Sequence, residues 1–348
     1  MDVNQISYEE SSRRMRSLLK TGLLRHDDLV NNPERFFLAH RILAEHATKL
    51  GPGFWIRFTV HYNLCMGTIL GLGSDKQVAM LDSFQEEGLL GCFSLTEKFA
   101  GVNSGMLVET VAEYCDETKT FLLRSPKEGA KKNWISQGLV ADKTVVVASL
   151  FMKGKSYGPH AFLVDMRSRD GKLTEGITVG DMGRKTVGND LDNAWIHFNN
   201  VRLPQDSLLS RFAAIEDGAY VQKVKGLPVF HMIGQRLFTG RVAVAQAALQ
   251  FRRSLFATTK QYTDNKQVWA PAGTHETSLS SIPQVRALFE EELSKGEVMD
   301  AFLRKCEAQL CDALRSRQLP SIELVQAIAV AKVLAVGTIH RSLLEANI

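Results

Sequence analysis

The sequence predicts an α+β protein in three parts: a helical segment, a β-domain and a second helical segment. Three observations carry this reading. Apolar residues recur at helical spacing up to about residue 88 and again after about residue 206. Between those limits the apolar runs are short, rich in β-branched residues and separated by turn chemistry. No internal repeat or low-complexity tract interrupts the order. The expected parts are an N-terminal helical domain at 1–88, a central barrel or sandwich at 89–205, and an incomplete C-terminal helical domain at 206–348.

In the first part, Met15, Leu18, Leu19 and Leu23 mark a helix over Ser11 to Leu24, broken by Gly22. Asn31-Asn32-Pro33-Glu34 then reads as a helix start, with Pro in the first turn. Phe36, Phe37, Ile42, Leu43 and Ala47 form its apolar side, and Gly51-Pro52-Gly53 ends it. Ser74-Asp75-Lys76-Gln77 caps a third helix that reaches Glu87 and closes at Gly88. In the β-domain, Thr144 to Val147, Ala161 to Val164 and the alternating Ala194 to Phe198 read as strands. Gly154-Lys155 and Arg169-Asp170-Gly171-Lys172 read as hairpin-type turns. The helical period is expected to return from about Leu208, with helices over Arg236 to Phe256, Ser281 to Leu293, Val298 to Leu314 and Ser321 to Leu344. The apolar stretch from Val325 to Gly337 is too short to span a bilayer and reads as buried. The last helix lacks a stop signal, so the chain reads as truncated at its C-terminus, either a fragment or a natural short form.

With 348 residues, 45% hydrophobic and 23% charged, the chain is long enough for about two ordinary domains with sizeable cores. This excludes a disordered or collagen-like protein. The net charge is 42 − 38 = +4, and the densest basic cluster, Arg13-Arg14-Met15-Arg16, is short, so no nucleic-acid partner is expected. Five cysteines with no C-x-x-C pair argue against a zinc site and a disulfide framework, and fit a reducing compartment; no metal ligands are assigned. Met1 to Tyr8 is polar and acidic, unlike a secretory signal, and no S-K-L address closes the chain.

Two stretches invite chemistry. Gly91 to Gly105 is a strand-like start followed by small and hydroxylated residues, including Thr96, at a turn. Alone, it reads more readily as a structural glycine-rich loop; it is neither a Walker A nor a G-x-G-x-x-G motif. In Lys132 to Asp142, Trp134 and Ser136 at strand spacing would share a face, an indole beside a hydroxyl, which suits an aromatic heterocycle with polar edges. Alone, Trp134 reads more readily as a buried core side chain.

Together, Cys92-Phe93-Ser94-Leu95-Thr96-Glu97 and Lys132-Asn133-Trp134-Ile135-Ser136-Gln137-Gly138, about forty residues apart in a β-domain between helical regions, resemble the acyl-CoA dehydrogenase and acyl-CoA oxidase flavoenzyme superfamily. His61 to Leu64 with Gly71 to Gln77, Gly176 to Gly183, and Phe198 to Pro204 are similar to the oxidase branch in particular. The resemblance implies an acyl-CoA dehydrogenase-like fold and an FAD site between the β-domain and the C-terminal helices, completed by a neighbouring subunit of a homodimer or homotetramer. Thr96 then matches the residue whose hydroxyl and backbone meet the flavin ring. Trp134 and Ser136 match the pair along its edge near N5, with Gly138 in the same motif. Lys266 falls where many relatives carry an Arg for the FAD pyrophosphate of the partner subunit; it keeps the charge and loses the bidentate fork. Arg241 matches an Arg supporting the active-site wall, with an ordinary helix salt bridge as the alternative. Phe99 and Val102 stand where relatives have Gly and Ser, so Asn103 or Ser104 is expected to take the polar role toward the thioester and CoA.

The implied reaction is α,β-desaturation of a fatty acyl-CoA to its trans-2-enoyl-CoA in fatty acid β-oxidation. A carboxylate removes the α-proton and the β-hydride passes to the flavin. Relatives keep that Glu beyond the region where this chain stops, and some dehydrogenases place it where this chain has Gly240. No catalytic base is therefore assigned; it is expected beyond Ile348. An oxidase passes the electrons to O2 and yields H2O2, whereas a dehydrogenase uses an electron-transfer flavoprotein. A non-catalytic flavin- or acyl-CoA-binding scaffold, and a same-fold nitroalkane oxidase or flavin monooxygenase, are the other readings. The resemblance implies a peroxisomal protein, with the mitochondrion or cytoplasm as alternatives.

Overall fold

A computed structural model describes residues 6–224, 229–269 and 277–345. The chain forms two compact units. One comprises Met1–Leu29 and Ala47–Leu237, the other Val30–His46 and Phe238–Ile348.

In the first unit α1 (Tyr8–Lys20) begins where the Ser7 hydroxyl accepts from the Glu10 amide, and acids in its first turn face the positive helix end. After the short α2 (Asp28–Asn31), the chain visits the second unit as α3 (Pro33–Glu45), which starts at the Pro read from sequence. It returns through α4 (Ala47–Leu50). Gly51, at φ +100°, makes the break before α5 (Pro52–Thr59). The helix continues as a π-helical stretch, Val60–Met66, and then as α6 (Gly67–Leu72). Helix α7 (Asp75–Glu87) opens with a capping box between Ser74 and Gln77 and closes at left-handed Gly88, as the sequence predicts.

The strands follow: β1 (Gly91–Ser94), β2 (Val111–Cys115), β3 (Thr120–Arg124), β4 (Lys132–Ser136), β5 (Lys143–Met152), β6 (Lys155–Asp165), β7 (Ile177–Asp181), β8 (Asn193–Phe198) and β9 (Val201–Pro204). Strand β5 organises the larger sheet. Its first half pairs in parallel with β1 (Gly91 opposite Lys143), its second half in parallel with β2 (Val111 opposite Ser149), and β6 runs antiparallel along its whole length. The antiparallel β3 and β9 complete that sheet. A smaller sheet has the order β4-β8-β7. Both contribute to one core that includes Phe121, Phe162, Ile135, Ile196 and Phe198. The turn at Lys153-Gly154 joins β5 to β6, and an Arg167–Leu173 bridge closes the turn at 169–172.

Three expectations change. The helical period begins at Val229 rather than near Leu208. The residues between form a hairpin, β10 (Ala213–Glu216) and β11 (Ala219–Gln222), turning on Asp217-Gly218 at φ +48° and +70°. That Asp-Gly pair is the signal the helical reading passed over.

The two helices expected over 281–293 and 298–314 are one. In the second unit α8 (Val229–Asn265) leads through β12 (Gln267–Val268) and β13 (Thr277–Ser278) to a continuous α9 (Pro283–Arg315). Gly296 does not stop α9. Its cost of about 1 kcal/mol against Ala is met by packing, since the Arg252 guanidinium lies against it and pairs with buried Glu292.

Finally, α10 (Ile322–Glu345) is not buried all round. Leu324, Ile328, Ala331 and Ala335 form a buried stripe, while Val330, Val333, Leu334 and Val336 are exposed. Part of that stripe meets Ala245, Leu249 and Leu303 in the second unit's core. Among the described residues, no helix is long and apolar enough to cross a membrane, and no His, Cys, Asp and Glu side chains gather into a metal-holding group.

Candidate functional site

The site grows from the end of β1. His61, in the π-helical stretch, accepts the Gly91 amide at Nδ1 (3.0 Å) and so fixes where the strand starts. Burial holds this ring neutral, its pKa pushed down to about 3. Beyond β1, residues 96–98 run antiparallel beside β4 and the residue before it. The Asn133 amide donates to the Thr96 carbonyl (2.9 Å), the Lys98 amide to the Lys131 carbonyl (2.9 Å), and Glu97 bridges Lys132. The Thr96 turn is thereby strapped to the strand that carries Trp134 and Ser136.

An ion pair under the strap makes it rigid. Lys132 and Glu97 are fully buried and 2.9 Å apart. The ammonium also donates to the carbonyls of Leu95 (3.2 Å) and Val147 (2.7 Å), matching all its protons. The carboxylate accepts from the amides of Glu109 and Thr110 and from the Thr110 hydroxyl. Burial pushes the Lys132 pKa down, to about 8, against the opposing pull of Glu97. The sequence alone gives neither residue a role. They lie 35 positions apart in elements that only the fold brings together. The one available signal was a charged residue at an inward strand position.

Trp134 is not a core side chain; it is 56% exposed. A bulge between Lys132 and Ile135 breaks the pairing of β4 with β8, and Trp134 takes φ +59°. Period two therefore fails between Trp134 and Ser136, and the shared face expected from strand spacing does not follow from it. Left-handed backbone at a bulky residue costs about 1–3 kcal/mol and marks functional positions more often than others. Ser136 accepts a bond from Asn193 Nδ2 (3.2 Å). Gly138 is required sterically, because a Cβ there would stand 2.8 Å from that of Ala194.

The 99–107 loop adds the next group. The Ser104 hydroxyl donates to Thr96 Oγ1 (2.7 Å), which leaves the Thr96 proton available to a ligand. Ser104 therefore acts beside Thr96. Asn103 is exposed, and its carbonyl accepts the Met106 and Leu107 amides. Thr96, Ser104, Trp134, Ser136 and Gly138 thus belong to one neighbourhood of the first unit, which offers a flat ligand an exposed indole and an available hydroxyl proton. The other two expected site residues lie in the second unit. Arg241, in α8, stacks over Phe238 with 5.8 Å from its guanidinium carbon to the ring centroid. Lys266 follows the end of α8 and is exposed.

No protein-family model matches the chain. Acyl-coenzyme A oxidase 2 of Yarrowia lipolytica is 34% identical over 237 residues, 66% of this chain and 33% of that protein. The crystal structure of acyl-CoA oxidase 3 from the same yeast superposes with a TM-score of 0.80 at 24% identity, covering 99% of this chain and 51% of its own. Acyl-CoA oxidase-2 of Caenorhabditis elegans, solved bound with FAD, ascaroside-CoA and ATP, gives a TM-score of 0.61 at 21% identity, covering 94% of this chain and 59% of its own. The chain thus spans about a third of the length of the curated relative and about half of each solved neighbour. Its sequence and its fold place it in the acyl-CoA dehydrogenase and acyl-CoA oxidase superfamily, with the acyl-CoA oxidases.

Proposed function

We propose that this chain carries the flavin-edge half of an FAD-dependent acyl-CoA oxidase acting in fatty acid β-oxidation, on fatty acyl-CoA and O2, within a peroxisomal homodimer or homotetramer. The observation that supports it most is the Thr96 turn, strapped to the strand that bears the exposed, left-handed Trp134. A flavin fits these residues. The indole would lie along its ring, the Thr96 hydroxyl has a proton to give, and the Ser136 hydroxyl is proposed to join them, so that negative charge gathering on the ring would meet donors already in place. When bound, FAD supplies the hydride acceptor for desaturation. The chain's own groups orient the ring and exclude water from its edge. Lys266 is proposed to hold pyrophosphate charge, Asn103 and Arg241 to meet the acyl-CoA, and no residue of this chain is proposed as the base.

The test is to purify the chain with FAD and record its absorbance, then add an acyl-CoA without oxygen. A yellow protein whose colour persists supports flavin holding without a base. Bleaching would overturn the assignment of no base. A protein that never retains flavin would overturn the cofactor reading. Peroxide production in air on acyl-CoA separates an oxidase from a dehydrogenase that needs an electron-transfer flavoprotein.

A further inference from the structure

Arg57 lies in α5, away from every motif discussed above, and its side chain is completely buried. Its guanidinium is a hub. Nε donates to the Ser11 hydroxyl (3.2 Å) and Nη1 to Gln137 Oε1 (3.3 Å). Nη2 faces the Tyr8 carbonyl (3.2 Å), the Asp190 carbonyl (3.1 Å) and Asp192 Oδ1 (3.2 Å). Three separate stretches of the first unit meet on this one side chain: the start of α1, the turn after β4, and residues 190–192.

The turn after β4 is the consequential partner. Gln137 directly follows Ser136 and sits at φ +55°, a conformation that favours glycine. Its amide side chain is held at both ends, accepting from Arg57 and donating to the Gly91 carbonyl (2.6 Å) at the start of β1. Its backbone amide donates to the Asp192 carbonyl (2.9 Å), and the Leu139 amide to Asp192 Oδ2 (2.8 Å). Asp192 is therefore divided between the guanidinium and the turn. Two left-handed residues, Trp134 and Gln137, bracket Ser136, and the second is fastened by its own side chain both to the strand that leads into Thr96 and to the buried arginine.

We infer that Arg57 is a positioning residue: through Gln137 and Asp192 it holds the turn after β4, and so sets the placement of Trp134 and Ser136 relative to Thr96. The geometry stands by itself; its purpose, presenting those side chains to a flavin, rests on the function proposed above. The N-terminal helix then belongs to the site, because Tyr8 and Ser11 supply two of the five acceptors that orient the guanidinium.

The test uses the full chain in two variants. Arg57→Lys keeps the charge and loses the fork. Gln137→Gly accepts φ +55° without strain and removes the amide link, so it folds even where a buried arginine variant fails. With 5-fluorotryptophan incorporated, the four indoles report separately by fluorine NMR in flavin-free protein, and Trp134→Phe assigns the resonance of interest. In both variants the Trp134 resonance is expected to shift or broaden while those of Trp55, Trp195 and Trp269 stay in place. The FAD dissociation constant is expected to rise at least tenfold. An unchanged Trp134 resonance in Gln137→Gly overturns the positioning role whether or not flavin binds. A displaced resonance with unaltered FAD affinity overturns the link to the cofactor. Absence of FAD binding in the unmodified chain overturns the functional reading alone, since the resonance still decides the geometry.

Discussion

At the scale of single residues, the site depends on charges and angles that cost stability. The Lys132–Glu97 pair is fully buried, so removing one partner strands the other. Lys132→Met is expected to lower unfolding free energy by about 3–5 kcal/mol, and Glu97→Gln to lose less than the sum when combined with it, as a double-mutant cycle in urea would show. Trp134 behaves oppositely. Asn tolerates left-handed backbone, so Trp134→Asn is expected to leave stability unchanged or raise it by about 1 kcal/mol while weakening flavin binding. A loss above about 2 kcal/mol in thermal unfolding would instead make the indole a packing residue.

At the scale of elements, legibility followed locality. The capping box of α7 and its glycine stop were readable because the partners lie three and fourteen positions from Ser74, and each bond has its own sequence signature. Ser74→Ala is expected to cost about 1 kcal/mol by chemical denaturation. Resemblance singles out the chemical stretches, and Thr96, Ser104, Trp134, Ser136 and Gly138 lie in one neighbourhood of the first unit. Illegible were the features that need distant partners: the bulge that turns Trp134 outward, the buried pair beneath it, and the Arg57 hub. Gly51 belongs with these. In the sequence it marks a helix break, yet a Cβ there would also strike the Asp190 carboxyl, which already holds the Gly53 amide (2.9 Å). Gly51→Ala is therefore expected to be markedly worse than loss of a turn, by about 2 kcal/mol or more, through both its φ and that clash.

At the scale of the whole molecule, acid lability is built into both units. His61 in the first and His40 in the second are fully buried, and burial pushes their pKa values down to about 3 and about 4. The unfolded chain binds protons on these rings below about pH 6.5 while the folded chain does not, so stability falls as pH drops from about 6.5 toward 4. By pH 5 each ring is expected to cost about 2 kcal/mol relative to pH 8, measurable as a falling urea midpoint, and His61→Gln should flatten part of that slope. Strand β5 has a different reach. It is the neighbour of β1, made 52 positions earlier, and of β2. A nascent chain that has emerged only as far as residue 142 therefore has its Thr96 turn attached to a strand without a mate. Residues 143–152 give β1 and β2 their shared parallel partner, and β6 and β9, made later still, add the remaining antiparallel edges.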